Sequence, residues 1–581
     1  MAQHRPFLSI RRALPIPSAT PTVWDVVVFA LVFGGLGLVA FAGRETLEPL
    51  ATATAPISLD PAALPHYALR TTLRMLAAMA ASLVFTFAFG ALAAKSRRAE
   101  MVLIPLLDVL QSVPVLGFLS FTVTGFMALF PGQILGLELA AIFAIFTSQA
   151  WNMAYSFYHS TRTIPRDLRD LSDSMRLGAW RRFWTLEAPY AAPGLIWNAM
   201  ISMSGAWFFV VASEAISVGQ VTVSLPGVGS YVATAIIEHD LKAVGWAVLT
   251  MGVVILAYDQ LLFRPLVAWA EKFRVEPPSP NERAPSSWVL DFLQRAELAR
   301  RVWRPVGGVL GAAASVRLGR PVDLSPRVAR IWSSRWADVA WYGLLVLAGG
   351  FAAWRTVEYV GAGVPFGEVL RAVLFGFFTL LRVIVLVVLA SAIWVPIGVW
   401  IGLRPRWAAI LQPATQFLAA FPANILYPLV VAAVVRFGLL PDIWLSPLMI
   451  LGAQWYILFN VIAGARMFPS DLLEAAASLR LKGFTWWRKV ALPGILPSYV
   501  TGAVTASGGA WNAAIVAEAA SWGGERVQAH GLGAYIAQAT TDGDLRRVVL
   551  GVAVMAVYVV VFNRLVWDPL FTAAARRLGT D

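Results

Sequence analysis

The sequence contains no cysteine and few charged residues for its length. The absence of cysteine from all 581 residues excludes disulfide bonds, thiolate metal sites and cysteine nucleophiles. The five histidines are scattered and do not have the spacing of metal ligands. Only 14% of the residues are charged, whereas a soluble globular protein carries about 25%. The composition therefore indicates a protein that lies mostly in a membrane.

Apolar residues make up 58% of the chain and occur in long runs. A run of about 20 apolar residues is long enough to cross a bilayer as a helix. We place six such runs on each side of a polar connector, at residues 23–43, 68–94, 101–126, 133–160, 194–214 and 242–267, and at 337–359, 367–403, 408–436, 441–466, 496–518 and 546–570. The sequence therefore predicts an all-α integral membrane protein with about twelve transmembrane helices.

The predicted spans divide the chain into five segments. These are an N-terminal tail (1–22), a first repeat (23–270), a basic connector (271–335), a second repeat (336–574) and a C-terminal tail (575–581). The connector opens with "EPPSPNERAPSS", which is typical of a linker. It continues with "WVLDFLQRAELARRVWRPV", which predicts either an amphipathic helix on the inner membrane surface or a solvated helical linker.

The net charge of +13 is explained by membrane topology rather than by nucleic-acid binding. Lys and Arg accumulate in cytoplasmic loops. The connector and the loops after the second and fourth predicted spans of the first half are basic, whereas the loop after the first span is net acidic. This pattern predicts cytoplasmic N- and C-termini and an even number of spans in each half, with lipid but no nucleic acid as a partner.

The two halves of the chain are copies of one another. A shift of 304 residues matches them without gaps from the fourth predicted span to the end of the sixth, so that Trp151 meets Trp455 and Glu214 meets Glu518. Since each copy has an even number of spans, both copies have the same orientation. A pathway can then lie between them, along a pseudo-twofold axis normal to the membrane.

A charged element lies between the fourth and fifth predicted spans of each half. In the second copy, "SDLLEAAASLRL" has a serine suited to N-capping, an acidic first turn and Ala-rich helix formers, which together predict a short helix. We expect Pro493 and Pro497 to break the chain between this helix and the next span. The basic loops place the short helix on the cytoplasmic side, within reach of a soluble partner.

This element resembles the EAA loop of ABC importer permeases, especially those of the nitrate/sulfonate/taurine type. The second copy has Glu474-Ala475-Ala476 and, further on, Leu492-Pro493; the first copy has Asp170-Leu171-Ser172 and Ala188-Pro189. A Glu followed by a Gly-Leu-Gly-Tyr segment is also common in these permeases, and here Glu518 precedes "GLGAY" and Glu214 precedes "GVGSY". The resemblance covers about residues 68–270 and 367–574. The chain departs from the family pattern six residues after the Glu, where the usual Gly is replaced by Arg176 and Arg480.

The resemblance implies a type I importer permease fold, with two permease units fused in one chain. In that family the loop helix docks in a groove of an ATPase subunit, so the resemblance marks Asp170, Leu171, Ser172, Arg176, Glu474, Ala475, Ala476 and Arg480 as ATPase-coupling residues. The chain has no Walker A pattern, so two copies of a separate ATPase are expected to bind ATP and Mg²⁺, and this chain is expected to be no enzyme and to bind no cofactor. An extracytoplasmic substrate-binding protein and a bacterial inner membrane are also implied.

The fifth predicted span of each half carries the candidates for a pathway or a gate. Leaving a charge in hydrocarbon costs at least about 2.5 kcal/mol, so Glu214 and Glu518 indicate either a functional site or carboxylates that pin the Gly-rich loop. Trp207 and Trp511 either line the pathway or pack in the helix bundle, and Asn512 breaks the symmetry of the halves. Arg382 either lies within the membrane or snorkels to an interface. The resemblance implies a small polar solute or anion as the substrate.

Two other classes of protein are alternatives to the importer. A secondary transporter of the major facilitator type also has two parallel six-span halves, but its usual loop signature is absent, and "AKSRRAE" stands in that place. A membrane enzyme would need a nucleophile, a metal cluster or a His/Asp arrangement, and the sequence shows none in repeated positions.

Overall fold

The computed structural model describes residues 56–112, 115–218, 221–273, 335–466, 470–522 and 525–567, with shorter pieces between and beyond them. The predicted tails at 1–22 and 575–581, and most of the first predicted span, lie outside the described residues. Most of the described chain is α-helix, as is required of apolar segments whose backbone groups have no water to bond.

The first half contains ten helices and one β-hairpin among its described residues. They are α1 (Leu64–Lys95), α2 (Arg97–Ser112), α3 (Leu119–Leu129), α4 (Leu135–Arg162), α5 (Arg166–Ser174), α6 (Ala179–Arg182), α7 (Ala188–Glu214), β1 (Ala215–Val218), β2 (Val221–Ser224), α8 (Val228–Ile237), α9 (Leu241–Tyr258) and α10 (Arg264–Ala270). The hairpin is antiparallel, with Ala215 opposite Ser224.

The second half repeats this order after the connector helix α11 (Trp288–Arg295). Its elements are α12 (Arg335–Gly361), α13 (Phe366–Gly402), α14 (Pro405–Ala420), α15 (Tyr427–Phe437), α16 (Pro441–Trp444), α17 (Ser446–Leu451), α18 (Gln454–Arg466), α19 (Ser470–Ser478), α20 (Gly483–Trp486), α21 (Leu492–Ala517), β3 (Ala519–Trp522), β4 (Glu525–Gln528), α22 (Leu532–Asp542) and α23 (Leu545–Phe562). The second hairpin is also antiparallel, with Ala519 opposite Gln528.

Six helices of the described chain are long and apolar enough to cross a membrane. They are Pro61–Lys95, Ala179–Glu214, Leu241–Phe273, Phe366–Gly402, Gly483–Ala517 and Leu545–Trp567. Two bent pairs, Ala414–Ala420 with Ala423–Phe437 and Pro441–Leu451 with Gln454–Arg466, bring the number to eight if each pair is one span. The predicted spans 101–126, 133–160 and 337–359 coincide with helices α2 to α3, α4 and α12. The predicted all-α membrane fold with two repeats is confirmed.

The same π-helical turn precedes the fifth-span helix in both halves. Phe183–Glu187 joins α6 to α7, and Trp487–Ala491 joins α20 to α21, so each junction is one continuous helix. The prediction that Pro493 and Pro497 break the chain is therefore wrong. Pro493 lies in the first turn of α21, where a missing N–H costs little, and the membrane helix continues through Pro497.

The structure extends the repeat to the second and third predicted spans, in a different register. There the halves correspond by a shift of 308 residues, which places Gly90 of α1 on Gly398 of α13. Both glycines lie against the fourth-span helix: a Cβ at Gly90 would overlap the ring of Phe157, and one at Gly398 would overlap Val461. The four-residue difference lies in the loop before α4, where residues 130–137 correspond to 438–441.

Each half contributes its broken third span to the core of the other half. In the first half a 3₁₀ turn, Val115–Phe118, separates α2 from α3, and in the second half Ala423–Leu426 separates α14 from α15. Val115 is buried in the same apolar cluster as Trp511 of α21, and Ile425 is buried in the same cluster as Trp207 of α7. The two halves are therefore interlocked at these turns.

The connector helix α11 packs against the first half. Phe292 and Ala296 lie in a small apolar cluster with Val28 and Phe29 of the first predicted span. Trp288 Nε1 donates a hydrogen bond of 3.3 Å to Gln260 Oε1. The structure therefore places a helix inside the predicted connector and attaches it at the end of the sixth predicted span.

Candidate functional site

A buried charge cluster lies at the end of the first half that is opposite α5. Glu214, the last residue of α7, accepts hydrogen bonds through Oε1 from Arg74 Nη1 and from Thr71 Oγ1, both at 2.7 Å. Its other oxygen, Oε2, accepts from the backbone N–H of Gly229 at 2.7 Å. Three donors, two from α1 and one from the start of α8, therefore meet around one carboxylate.

A second carboxylate completes the cluster on the other side of Arg74. Glu138, in the first turn of α4, accepts from Arg74 Nε and Nη2 at 2.6 and 2.7 Å, and from Arg70 Nη2 at 2.6 Å. The side chains of Arg70, Arg74, Glu138 and Glu214 are at most 4% exposed. Two arginines thus face two carboxylates, and the buried charges balance.

The second half has the same arrangement at its corresponding end, opposite α19. Glu518, which follows α21, accepts through Oε1 from Arg382 Nη1 at 2.8 Å and from Thr379 Oγ1 at 2.9 Å, and through Oε2 from the N–H of Gly533 at 2.8 Å. Arg382 therefore belongs to a cluster around a buried carboxylate. Its guanidinium is paired with that carboxylate and does not simply extend to an interface.

The outer side of this second cluster is more open. Arg382 Nη2 donates to Asp442 Oδ1 at 2.7 Å, and Asp442 occupies the position that corresponds to Glu138. Asp442 also accepts from the backbone N–H of His530 at 2.7 Å and lies 2.9 Å from its Nδ1. In place of the buried Arg70, the second cluster thus has an exposed histidine beside its second carboxylate.

Both clusters hold the loop that follows the hairpin. Arg74 donates to the carbonyl of Pro226, and Arg382 donates to the corresponding carbonyl of His530, each at 3.0 Å. A Cβ at Gly227 or Gly531 would overlap the carboxylate of Glu214 or Glu518. The glycines of the two loops are therefore required for the close approach of backbone to carboxylate. These contacts are of the kind expected of a carboxylate that pins the loop, and the pathway or gate role of Glu214 and Glu518 stays a prediction.

The two tryptophans proposed for the pathway are buried in the helix bundle. Trp207 and Trp511 are each 1% exposed. The ring of Trp207 packs edge-to-face on Tyr258 of α9, with 5.5 Å between ring centroids. Among the described residues, no hydrogen bond links either ring to Glu214 or Glu518. The pathway role of Trp207 and Trp511 stays a prediction.

Asn512 lies at a seam between the halves. Its Oδ1 accepts a 2.8 Å hydrogen bond from the backbone N–H of Val115, in the broken third span of the first half. At the corresponding place on the other seam, Asn424 Nδ2 of the second half's broken span donates to the carbonyl of Phe208 in α7 at 3.2 Å. Each seam therefore has one asparagine, which comes from the fifth span in one case and from the third span in the other.

The short helices α5 and α19 carry the residues assigned to coupling. Asp170 and Glu474 are exposed, as are Leu171 and Ala475. Ser172 and Ala476, the third residues of the motif, are both buried at 4% exposure. The motif thus has two outward residues and one inward residue in each copy, despite the difference in sequence.

Large apolar side chains project from the ends of both helices. Met175 is 61% exposed and the corresponding Leu479 is 71% exposed. Each is followed by an arginine in the left-handed backbone conformation, with φ of 48° at Arg176 and 50° at Arg480. The usual Gly of the EAA pattern therefore falls at a position with positive φ, and here the chain places arginine there twice.

The first of these helices is held by an ion-pair chain that the second copy does not match. Arg182 pairs with Asp173 of α5 at 2.8 Å and approaches Glu187 at 3.6 Å, and Glu187 pairs with Lys95 of α1 at 2.8 Å. The residues of the second half that correspond to Asp173, Arg182 and Glu187 are Ala477, Trp486 and Ala491. The two helices are therefore supported in different ways.

Comparison with known families gives two matches along the chain. Residues 86–263 and residues 394–577 each match the family described as "Binding-protein-dependent transport system inner membrane component". Together they cover more than half of the sequence. The chain belongs to this family. Because the match occurs twice, one chain contains two inner membrane components of a binding-protein-dependent transport system.

Several transport permeases are similar to parts of the chain. A bicarbonate transport system permease, CmpB of Synechococcus elongatus, is 33% identical over 130 residues, which cover 22% of this chain and 45% of CmpB. A nitrate import permease, NrtB of Synechocystis, is 24% identical over 189 residues, or 32% of this chain and 64% of NrtB. The glycine betaine/proline betaine permease ProW of Escherichia coli is 26% identical over 219 residues, or 37% of this chain and 55% of ProW.

These matches decide the class of protein, although the chain spans less than two thirds of the length of each of these relatives. No solved structure matches the chain. The family consists of membrane components of importers that work with an ATPase and a binding protein, so this inner membrane component is a transport subunit and not an enzyme. The alternative of a major facilitator transporter is not favoured.

Sequence reasoning missed half of each charge cluster in this inner membrane component. A shift of 304 residues places Arg74 opposite Phe378, whereas a shift of 308 places Thr71-x-x-Arg74 on Thr379-x-x-Arg382. That second register was the signal that could have found Thr71, Arg74 and Thr379. No sequence signal identifies Asn424, because its partner is a backbone carbonyl of the other half.

Replacement of the central arginine is expected to destabilise this inner membrane component. Arg74→Gln leaves Glu214 buried without a cation, and removing one partner of a buried pair costs about 3–5 kcal/mol. In detergent, we expect the Arg74→Gln and Arg382→Gln variants to have a clearly lower midpoint of thermal unfolding than the wild-type chain. The matched control is Arg355→Gln, since Arg355 pairs with Glu358 in an exposed position. An unfolding midpoint of Arg74→Gln equal to that of the control would contradict the structural role of the cluster.

The seam asparagines give a second prediction. Asn512→Leu removes the acceptor of the Val115 N–H and leaves that donor unpaired between the halves, which costs about 1–3 kcal/mol. Asn424→Leu, which introduces the residue found at the corresponding Leu116, is expected to cost a similar amount. The control is Thr505→Val, because Thr505 bonds only to its own helix at Thr501. Unfolding of the solubilised variants measures the effect, and equal stability of all three would show that the seams do not depend on these bonds.

Proposed function

We propose that this inner membrane component is the complete permease of an ATP-driven importer, and that a substrate crosses the membrane between its two halves. The observation that carries the proposal is the pair of exposed helices α5 and α19. Each presents an exposed carboxylate, Asp170 or Glu474, and an exposed apolar side chain, Met175 or Leu479. Paired apolar and charged groups on an exposed short helix are typical of a surface that docks into a groove of a soluble partner.

The proposed partner at these helices is an ATPase, in two copies. The repeat has two helices of equal length at corresponding positions, and the chain carries no nucleotide-binding pattern of its own. ATP and Mg²⁺ would therefore bind to the partner. With α5 and α19 on the cytoplasmic side, both termini are cytoplasmic, the membrane is a bacterial inner membrane, and an extracytoplasmic binding protein delivers the substrate to the outer end.

The proposed mechanism follows from the way that the helices are joined. Each cytoplasmic helix is followed by a short helix and a π turn that run without a break into the fifth-span helix. A displacement of α5 or α19 by a closing ATPase would reach α7 or α21 through the short turns at 175–178 and 479–482. At the outer end those helices are fixed to the second and fourth spans by the charge clusters. Each half would therefore rotate as a unit and open the space between the halves.

The proposed substrate is a small polar solute or a small anion. Relatives are named for bicarbonate and nitrate. At the two seams the described hydrogen bonds between the halves are made by neutral amides, Asn424 and Asn512. The charges of Arg74, Arg382 and their carboxylates are occupied with one another, so they do not form a fixed counter-charge that would trap an ion. Selection would then lie mainly with the binding protein.

A charge reversal on the better-preserved helix tests the coupling. Glu474→Lys reverses an exposed charge at the proposed docking surface, and we expect ATP-driven uptake into proteoliposomes to fall by about tenfold or more, which corresponds to about 1.4 kcal/mol of lost coupling. The matched control is Glu358→Lys, an exposed charge at the end of α12. Because α5 is supported by its own ion-pair chain, Asp170→Lys is expected to change uptake by a different amount from Glu474→Lys. Normal uptake by Glu474→Lys would overturn the docking role of α19.

A further inference from the structure

Both proposed coupling helices end in a motif that suits glycine but contains arginine. In α19 the N–H of Leu481 bonds to the carbonyl of Ala476 at 3.0 Å and the N–H of Arg480 bonds to that of Ala477 at 2.9 Å. In α5 the N–H of Leu177 bonds to the carbonyl of Ser172 at 3.2 Å in the same pattern. This is the Schellman arrangement, whose left-handed residue is usually glycine.

An arginine in this position is conformationally unfavourable. A side chain with a Cβ is disfavoured at positive φ, and Arg176 and Arg480 have φ of 48° and 50°. Among the described residues, His239 is the one other non-glycine residue with positive φ. Gly438, Gly483 and Gly543 show that the chain uses glycine for this conformation elsewhere. The helix ends would therefore be more stable with glycine in place of arginine.

The rest of the chain does not compensate for this strain. In the part of the chain that the structure describes, no ion pair joins Arg176 or Arg480 to a carboxylate, and both side chains are exposed. The two helices have diverged at their acidic motif, where one has Asp-Leu-Ser and the other has Glu-Ala-Ala, yet both have arginine at this site. A strained, exposed and repeated arginine is best explained by a contact outside the chain.

The neighbouring side chains indicate what kind of surface would meet these arginines. Each arginine directly follows an exposed apolar residue, Met175 or Leu479. The left-handed residue ends the helix and turns the chain, so each exposed arginine stands at the helix end, next in sequence to the apolar residue. Arginine presents five donors in a fixed plane that matches a carboxylate in two parallel hydrogen bonds.

We propose that Arg176 and Arg480 each bind carboxylates at the rim of an apolar groove on the ATPase partner. The inference rests on the proposed function, because it specifies the chemistry of the surface that docks against α5 and α19. The apolar side chain enters the groove, and the arginine pairs with acidic residues at its edge. The arginines thus select an acid-rimmed ATPase, and the strain at the helix ends is offset only in the complex.

The test uses the full chain in nanodiscs of uncharged lipid and the ATPase that is isolated together with the wild-type chain. In the double variant Arg176→Asn/Arg480→Asn, the asparagines tolerate positive φ but carry no charge. We expect the thermal unfolding midpoint of the free variant to be equal to that of the wild type or higher. Its affinity for the ATPase at low salt should fall by about tenfold or more, and the dependence of affinity on salt concentration should become weaker.

A matched variant separates charge from geometry. Arg176→Lys/Arg480→Lys keeps the charge but loses the two parallel bonds, so its affinity should lie between those of the wild type and the asparagine variant. If the asparagine variant binds the ATPase as tightly as the wild type, with the same salt dependence, the inference is overturned while the proposed function stands. A loss that occurs only in anionic lipid would also overturn it, since the arginines would then contact the membrane. If no ATPase associates with the wild-type chain, the proposed function itself fails.

Discussion

A charge inside a membrane protein must be paired, and this requirement organises the end of each half that is opposite α5 and α19. Glu214 and Glu518 end the fifth-span helices, and each meets an arginine from the second span, Arg74 or Arg382. Because each arginine also binds a carboxylate at the start of the fourth span, three spans and the outer loop are fixed to one another. Isolated charges would each be costly in this environment, whereas the paired cluster is stable only if all its members are present. The arrangement therefore favours halves that move as rigid units.

Two further features are the seams between the halves and the short helices α5 and α19. Each half inserts its broken third span into the core of the other, and a single asparagine bonds across each seam. A few neutral hydrogen bonds can be exchanged during a transport cycle at much lower cost than a buried ion pair. At the opposite end of the fifth span, the π turns join the short helices α6 and α20 to the membrane span without a break. The buried charge clusters thus lie within the halves, whereas the hydrogen bonds at the two seams, where the pathway is proposed to open, are made by neutral amides.

Much of this organisation could be predicted from the sequence, and the failures have physical causes. Apolar runs and a gap-free repeat predicted the helices, the two units and the importance of Glu214 and Glu518. The partners Arg74 and Arg382 were not paired in advance, because a four-residue difference in one loop shifts the register of the preceding spans. Pro497 was wrongly expected to end a helix, since the rule for water-soluble helices does not hold for a packed membrane helix. The replacement of the usual Gly by Arg480 was visible in the sequence, but only the backbone geometry shows that the position requires positive φ.

In the proposed mechanism, a soluble ATPase brings α5 and α19 together and the rigid halves follow. The absence of cysteine makes a direct measurement possible, because cysteines introduced at the corresponding exposed positions Ser174 and Ser478 would be the only labelling sites. Pulsed electron paramagnetic resonance between spin labels at these two positions reports the distance between α5 and α19. In the assembled complex, we expect this distance to shorten when ATP binds and to lengthen again after hydrolysis. A distance that is the same with and without ATP would contradict the proposed coupling mechanism.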